Sequence, residues 1–317
     1  MRLIRGLHNL RPGDRGCVAT IGNFDGVHLG HRAVFQRLIE RGNAVGLPAT
    51  VITFEPQPME FFTPDAAPAR LTRLREKVAA IAEDGIHRIM LLEFGPRLAR
   101  MDALTFIHRL LVDGLGARFL LVGDDFRFGH NRAGDYALLQ AAGREHGFEV
   151  EDLHTIKHGD ERISSTRIRD ALARGDFEQA RHLLGRPYRI CGRVAHGDKR
   201  GRSIGFPTAN INLHRRNSPL RGVFAVMVYG LDPAPLPAVA NIGRRPTVDG
   251  TEERLEVHLF DFDGDLYGAH LSVEFRLRLR DEQRFESFEA LKTQIGRDAA
   301  AAREFLAAPG RGPSIRP

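Results

Sequence analysis

The feature that most constrains this chain is a change of rhythm at Gly185-Arg186-Pro187. Before it, short apolar runs at residues 17–21, 49–54, 88–92 and 119–122 alternate with amphipathic stretches at 32–41, 71–83, 103–111 and 136–145. Two more helical stretches follow at 166–173 and 177–184. Strands apolar on both faces, separated by helices, predict a parallel sheet with crossover connections, which binds ligands at the carboxyl ends of its strands. Gly42, Gly85 and Gly114 sit where helix C-caps are expected. After the switch the helical period disappears. Residues 188–194, 223–229, 238–242, 254–260 and 271–280 alternate or run apolar between Gly, Pro and Asp turns, which predicts a small antiparallel barrel. A final helix is expected at 288–306, and the Pro-rich tail after Ala308 is expected to fray.

Pro187 favours extended backbone just before it, so the switch reads as a linker between two domains, 1–185 and 186–317. The 317 residues are about twice the common length of one domain. With 42% apolar and 27% charged residues, the chain lies far from the composition of disordered proteins. Basic residues number 46 against 40 acidic ones, and the excess is local: 25 against 24 up to Gly185, but 21 against 16 after it. A basic second part suits a phosphate-bearing ligand, although a solvated basic face gives the same count. Cys17 and Cys191 are too few for a disulfide framework or a thiolate metal site. Neither a signal-peptide core nor a run of about 18 apolar residues occurs, so the chain is expected to be cytoplasmic, without membrane or nucleic-acid partners.

The run 17–21 leads directly into GNFDGVHLGH, residues 22–31, and then into a helix. Gly22, Asn23, Phe24, Asp25 and Gly26 form a strand-to-helix turn whose small residues and backbone amides can face a triphosphate. His28 and His31, three apart at the helix start, can donate hydrogen bonds to the charge that develops on a phosphorus under attack. An isolated His-x-x-His is usually surface or occasionally metal-binding; what favours catalysis here is the place at the end of the first strand. No G-x-x-x-x-G-K-S/T loop or G-x-G-x-x-G fingerprint occurs, which argues against P-loop and dinucleotide-oxidoreductase readings.

A second cluster, GRVAHGDKRGRSIGFPTANI, spans 192–211. Gly197, Gly201, Arg202, Gly205 and Pro207 belong to a basic strand-loop-strand unit able to fold over ATP phosphates. Thr208 and Asn210 offer oxygen atoms on one side of an extended segment, hard ligands suited to Mg2+ bridging two phosphates. By itself the stretch also reads as a mobile hairpin loop.

The block GNFDGVHLGH resembles the H-x-G-H motif of nucleotidylyltransferases, in the form found in bacterial bifunctional riboflavin kinase/FAD synthetases. VGDDFRFG (122–129) and ISSTRIR (163–169) agree with it, and so do NIGRRPT (241–247), LEVHLFDFDGDLYG (255–268) and LRDEQRFESFEALKTQI (279–295). The resemblance runs over nearly the whole chain in the family's order. FEPQP (54–58) departs from it at Gln57, where a His is more often expected.

The resemblance implies an α/β Rossmann-like nucleotidylyltransferase domain followed by a small antiparallel flavokinase-type β-barrel with a C-terminal helix. It implies riboflavin phosphorylation by ATP to FMN, then AMP transfer from ATP to FMN to give FAD and pyrophosphate, with Mg2+ and no obligate protein partner. Asp125 and Phe128 would stand near FMN and the nucleotide, while Ser165, Thr166 and Arg169 would grip phosphates. Glu256 would be the general base for the ribityl 5'-hydroxyl, and it sits in an alternating strand that can project it into a barrel mouth. Asn241 and Arg280 would face ATP or the flavin. Two rivals are a flavin- and ATP-binding regulatory module without turnover and an adenylyltransferase for another substrate. The intact His28, His31, Thr208, Asn210 and Glu256 speak against the first, and the flavokinase signature against the second.

Overall fold

The computed structural model describes residues 1–123, 125–152, 157–158, 161–195, 206–215, 217–247 and 250–308. Two compact units form: Met1–Pro68 with Thr72–Ser165, and Ala69–Leu71 with Thr166–Pro317.

In the first unit, β1 (Arg2–Arg5), β2 (Cys17–Ile21), β3 (Ala49–Glu55), β4 (Arg88–Glu93), β5 (Ala117–Val122) and β6 (Glu149–Asp152) make one parallel sheet. Its order is β1-β4-β3-β2-β5-β6. All of β2 is buried, because apolar clusters lie on both faces. One gathers Ile21, Phe54, Met90, Phe106 and Leu120; the other gathers Val18, Phe35, Leu38, Val51 and Leu121. The helices are α1 (Leu29–Val45), α2 (Pro58–Phe62), α3 (Leu74–Glu83), α4 (Pro96–Ala99), α5 (Ala103–Phe106) and α6 (Tyr136–His146). From α5 the chain passes into a π-helical turn, Ile107–Val112.

Gly42 is not a cap. Helix α1 runs through it to Gly46, the left-handed residue at φ 67°, and a Cβ on Gly42 would stand 2.6 Å from the Leu47 carbonyl oxygen. Gly85, at φ 83°, follows the end of α3 as expected. Two short strands, β7 (Lys157–His158) and β8 (Glu161–Arg162), pair antiparallel.

The second unit holds α7 (Ser165–Arg174, from Thr166 on) and α8 (Phe177–Leu184). Then come β9 (Arg189–Ala195), β10 (Ala209–Asn212), β11 (Gly222–Tyr229), β12 (Leu236–Thr247), β13 (Gly250–Leu259), β14 (His270–Arg280) and α9 (Phe288–Ala307). The six strands close an antiparallel barrel in the order β10-β13-β12-β11-β14-β9. By packing, α8 goes with the barrel: the Phe177 ring lies 6.0 Å from that of Phe224 and 6.2 Å from that of Phe275. Arg278 Nη1 also donates to the Ala173 carbonyl of α7 at 2.9 Å. Ala299 and Ala302 of α9 pack on Val223, Ala225 and Val239, which fixes that face as the outside of the wall.

Candidate active sites

At the carboxyl end of β2 the chain makes a tight loop before α1. Phe24 (φ 47°), Gly26 (φ 87°) and Val27 (φ 45°) all take left-handed backbone, and such a conformation costs about 1–3 kcal/mol at each non-glycine position. A clasp offsets that cost. The buried Asp25 carboxylate accepts from Thr72 N (3.0 Å) and Thr72 Oγ1 (3.2 Å), while Gly26 N donates to Thr72 Oγ1 (3.0 Å). Ser165 Oγ donates to the Asp25 carbonyl at 2.9 Å, and Thr53 Oγ1 to the Asn23 carbonyl at 3.3 Å.

The loop presents two histidines. His28 is the N-cap of α1, its Nδ1 accepting from His31 N at 3.3 Å. An accepting Nδ1 puts the proton of a neutral imidazole on Nε2, so that end of the ring is a donor. The two rings stack with centroids 3.6 Å apart and planes 17° apart. Gly30 permits this, since a Cβ there would come within 3.1 Å of the His28 ring. His31 meets Phe24 edge-on at 5.1 Å, and Phe24 leans on Phe35. Both histidines line a cavity of about 490 Å³ with Gly22, Asn23, Phe24, Asp125 and Ser165. At the start of a 17-residue helix, such a cavity favours an anion.

Asp25 and Gly26 are absent from that lining: they build the loop instead. Thr166 and Arg169 fall in the second unit, where Arg169 Nε donates to the Ala69 carbonyl at 2.6 Å. Gln57 serves α2, its backbone N–H donating to Glu60 Oε2 at 2.8 Å.

A second cavity, of about 1040 Å³, shares Gly22, Asn23 and Asp125 with the first. Its walls are aromatic: Phe54, Phe61, Phe62 and Phe94 on one side, Phe106, Phe126 and Phe128 on the other. Arg100, Arg127, His130 and Arg132 also line it. Of the wall residues, Phe128 was expected by name, and Phe126 and Arg127 fall with it in VGDDFRFG. Phe54 opens FEPQP at the end of β3; Phe61, Phe62, Phe94, Phe106, His130 and Arg132 lie outside the motifs, in separate segments, so no local pattern announces them.

In the barrel, Glu256 pairs across the strands with Asn210 on one side and Asn241 on the other. Directly opposed residues share a face, so Asn210, Glu256 and Asn241 form one row over β10, β13 and β12. Asn241 pairs in turn with Val223, which packs under α9. The row therefore lies on the outer wall. Leu255, Val257 and Leu259 are buried on the opposite face, so the alternation is as expected, but Glu256 does not project into the barrel's interior. Asn210 Nδ2 donates to the Thr208 carbonyl at 3.4 Å, which turns its Oδ1 the other way.

Near Glu256, the Glu282 carboxyl fills the space a Cβ on Gly243 would need. Burial raises its pKa above the ordinary carboxylate value, Arg221 opposes the shift, and Glu253 and Glu256 add to it. Arg280 is committed to α9: its Nη2 donates to Asp298 Oδ2 at 2.7 Å and its Nε to both carboxylate oxygens at 3.0 Å. Gln294 also donates to Asp298, at 2.8 Å. Gly197, Gly201, Arg202 and Gly205 lie outside the described residues.

Residues 10–167 match the family model described as FAD synthetase, and residues 184–306 the one described as riboflavin kinase. The bifunctional riboflavin kinase/FMN adenylyltransferase of Escherichia coli K12 is 55% identical over 307 residues, 96% of this chain and 98% of its own. That of Pseudomonas fluorescens is 56% identical over 310 residues, 98% of this chain and 99% of its own. A crystal structure from Streptococcus pneumoniae, described as a macrolide-efflux protein, shares the fold with a TM-score of 0.76 and 30% identity, covering 95% of this chain and 98% of that one.

Proposed function

The chain belongs to the family of bifunctional riboflavin kinases/FMN adenylyltransferases, and from that premise we propose how its residues divide the two reactions. One activity moves a phosphoryl group from ATP to riboflavin, giving FMN; the other joins the AMP part of ATP to FMN, giving FAD.

Adenylylation takes place in the first unit, which ends at Ser165 and not at Gly185, and one observation carries it. The stacked His28 and His31 line a cavity that shares Gly22, Asn23 and Asp125 with an aromatic one. The FMN ring stacks among the phenylalanines, which sets its phosphate toward the shared residues, and ATP occupies the smaller cavity. An FMN phosphate oxygen attacks the α-phosphorus; the new O–P bond forms as the bond to pyrophosphate breaks. The Nε2–H of His28 and the imidazole of His31 donate to the charge gathering on the α-phosphate, and the α1 N-terminus favours the same charge.

Phosphorylation belongs to the barrel, residues 186–317. Glu256 takes the proton of the ribityl 5'-hydroxyl as that oxygen attacks the γ-phosphorus and ADP leaves. Asn241 and Asn210 flank it in the row and orient the reactants. Among the described residues no group of three or more His, Cys, Asp or Glu is arranged to hold a metal ion. A cation would arrive with the nucleotide, whose phosphate oxygens are hard ligands for it. The Thr208 hydroxyl and Asn210 Oδ1 are hard oxygen donors that fit Mg2+ and would hold it. When bound, the ion would neutralise phosphate charge. The described helices include none long and apolar enough to cross a membrane. The reading is of a cytoplasmic enzyme whose partners are small molecules, its chemistry calling for no nucleic acid, membrane or second protein.

Glu256→Gln tests the division. Gln keeps size and a hydrogen-bond acceptor but cannot take the proton, so FMN formation should fall about 100- to 10,000-fold while FAD formation from supplied FMN stays normal. Chromatography of FMN and FAD reads both. Near-normal FMN formation would make Glu256 a solvated strand residue.

A further inference from the structure

His258 stands two residues beyond Glu256 on the same face of β13, opposite Val239. Its Nδ1 lies 2.9 Å from the carbonyl oxygen of Pro207. A carbonyl oxygen only accepts, so the proton of this bond is on Nδ1. The ring is edge-on to Phe206 at 5.2 Å and to Phe260 at 5.9 Å, which fixes the plane in which Nδ1 can point.

The partner is telling. Strand β10 begins at Ala209, opposite Val257, and one step back along β10, which is one step forward along the antiparallel β13, would set Thr208 opposite His258. Pro207 has no N–H, so the main chain cannot extend the ladder through it. The imidazole supplies a hydrogen bond where the ladder stops. It thereby holds the Pro207-Thr208 segment against β13, with Thr208 and Asn210 two apart on one side of the extended chain.

We propose that His258 is a positioning residue of the kinase site: through the Pro207 carbonyl it sets Thr208 and Asn210 beside Glu256 to receive the nucleotide-bound cation. This rests on the reading of Thr208 and Asn210 as cation ligands, and the test separates the two ideas. His258→Phe keeps the ring packing and loses the donor; His258→Asn keeps a donor near the position of Nδ1. In full-length, metal-free protein, long-range ¹⁵N–¹H correlation should place the His258 proton on Nδ1. Binding of Mn2+ in the presence of ADP, followed by electron paramagnetic resonance, should weaken about fivefold in His258→Phe, the worth of one net hydrogen bond. The Mg2+ concentration for half-maximal FMN formation should rise by the same factor. In His258→Asn both should return to within about twofold, and FAD formation from FMN should be unaffected in either variant.

Thr208→Ala is the control. If it weakens Mn2+ binding and His258→Phe does not, the positioning role is overturned. If Thr208→Ala binds Mn2+ as tightly as the parent, the ligand reading falls and the positioning role with it. Equal losses in the Phe and Asn variants, with lowered unfolding temperatures, would reduce His258 to packing and overturn the proposal.

Discussion

His28 holds two positions at once, and substitutions can separate them. As N-cap it accepts from His31 N at 3.3 Å; as a donor it lines the smaller cavity beside the stacked His31 ring. Removing an N-cap acceptor costs about 1 kcal/mol. In a domain of this size that lowers the unfolding midpoint by roughly 2–4 °C. Removing one donor to a developing oxyanion costs about 100- to 1,000-fold in rate, or about 2.7–4 kcal/mol of barrier. His28→Ala should show both losses. His28→Asn, whose side chain caps helices well, should keep the unfolding temperature while FAD formation from FMN falls by the same factor. Calorimetry reads the first quantity, and single-turnover conversion of FMN with excess ATP reads the second. Riboflavin phosphorylation serves as the internal control. If the Asn variant kept its rate while the Ala variant lost it, the capping bond and not the imidazole would be the catalytic contribution, and the donor role assigned to Nε2 would be wrong.

Phe62, 58% exposed in the wall of the aromatic cavity, gives a binding variant that should spare the fold. Phe62→Ala should raise the KM for FMN about tenfold in adenylylation, without changing the KM for ATP or the phosphorylation of riboflavin. A fragment starting at Thr166 should resist urea better than one starting at Arg186 by about 3–5 kcal/mol, because only the longer one keeps Phe177 against Phe224 and Phe275. Burial pushes the Cys17 thiol up to about 11. In native protein at pH 8 only roughly one molecule in a thousand then carries its thiolate, so alkylation followed by mass spectrometry should modify Cys191 well before Cys17.

The central strands β2 to β5 were legible because both their faces are mostly buried and their sequences are accordingly rich in apolar residues, with charges only at Glu55, Arg88, Glu93 and Arg118. Strands β1 and β6 were not, since RLIR and EVED carry the charges of edge strands that pair on one side only. The histidine pair was legible from its place after β2. The use of Asp25 was not, because Thr72 lies 47 residues away and no spacing rule joins them. Arg280 reads as a ligand cation until the partner on α9 is known. The alternation along β13 was equally plain, yet a period of two separates faces without telling inside from outside. That distinction comes from α9, whose alanines mark which face of β11 and β12 is covered.

With the row of Asn210, Glu256 and Asn241 on the outer wall, the kinase chemistry proposed for it leaves the barrel interior to packing. From Leu255 to Leu259, successive residues of one strand meet different demands: Leu255, Val257 and Leu259 fill the lumen, while Glu256 and His258 stand on the outer face with the turnover proposed for it. A lineage can repack the lumen for a hotter or colder habitat without retuning the reaction. It can also drift in substrate preference along the outer row without touching the lumen. The two demands are interleaved in five consecutive residues.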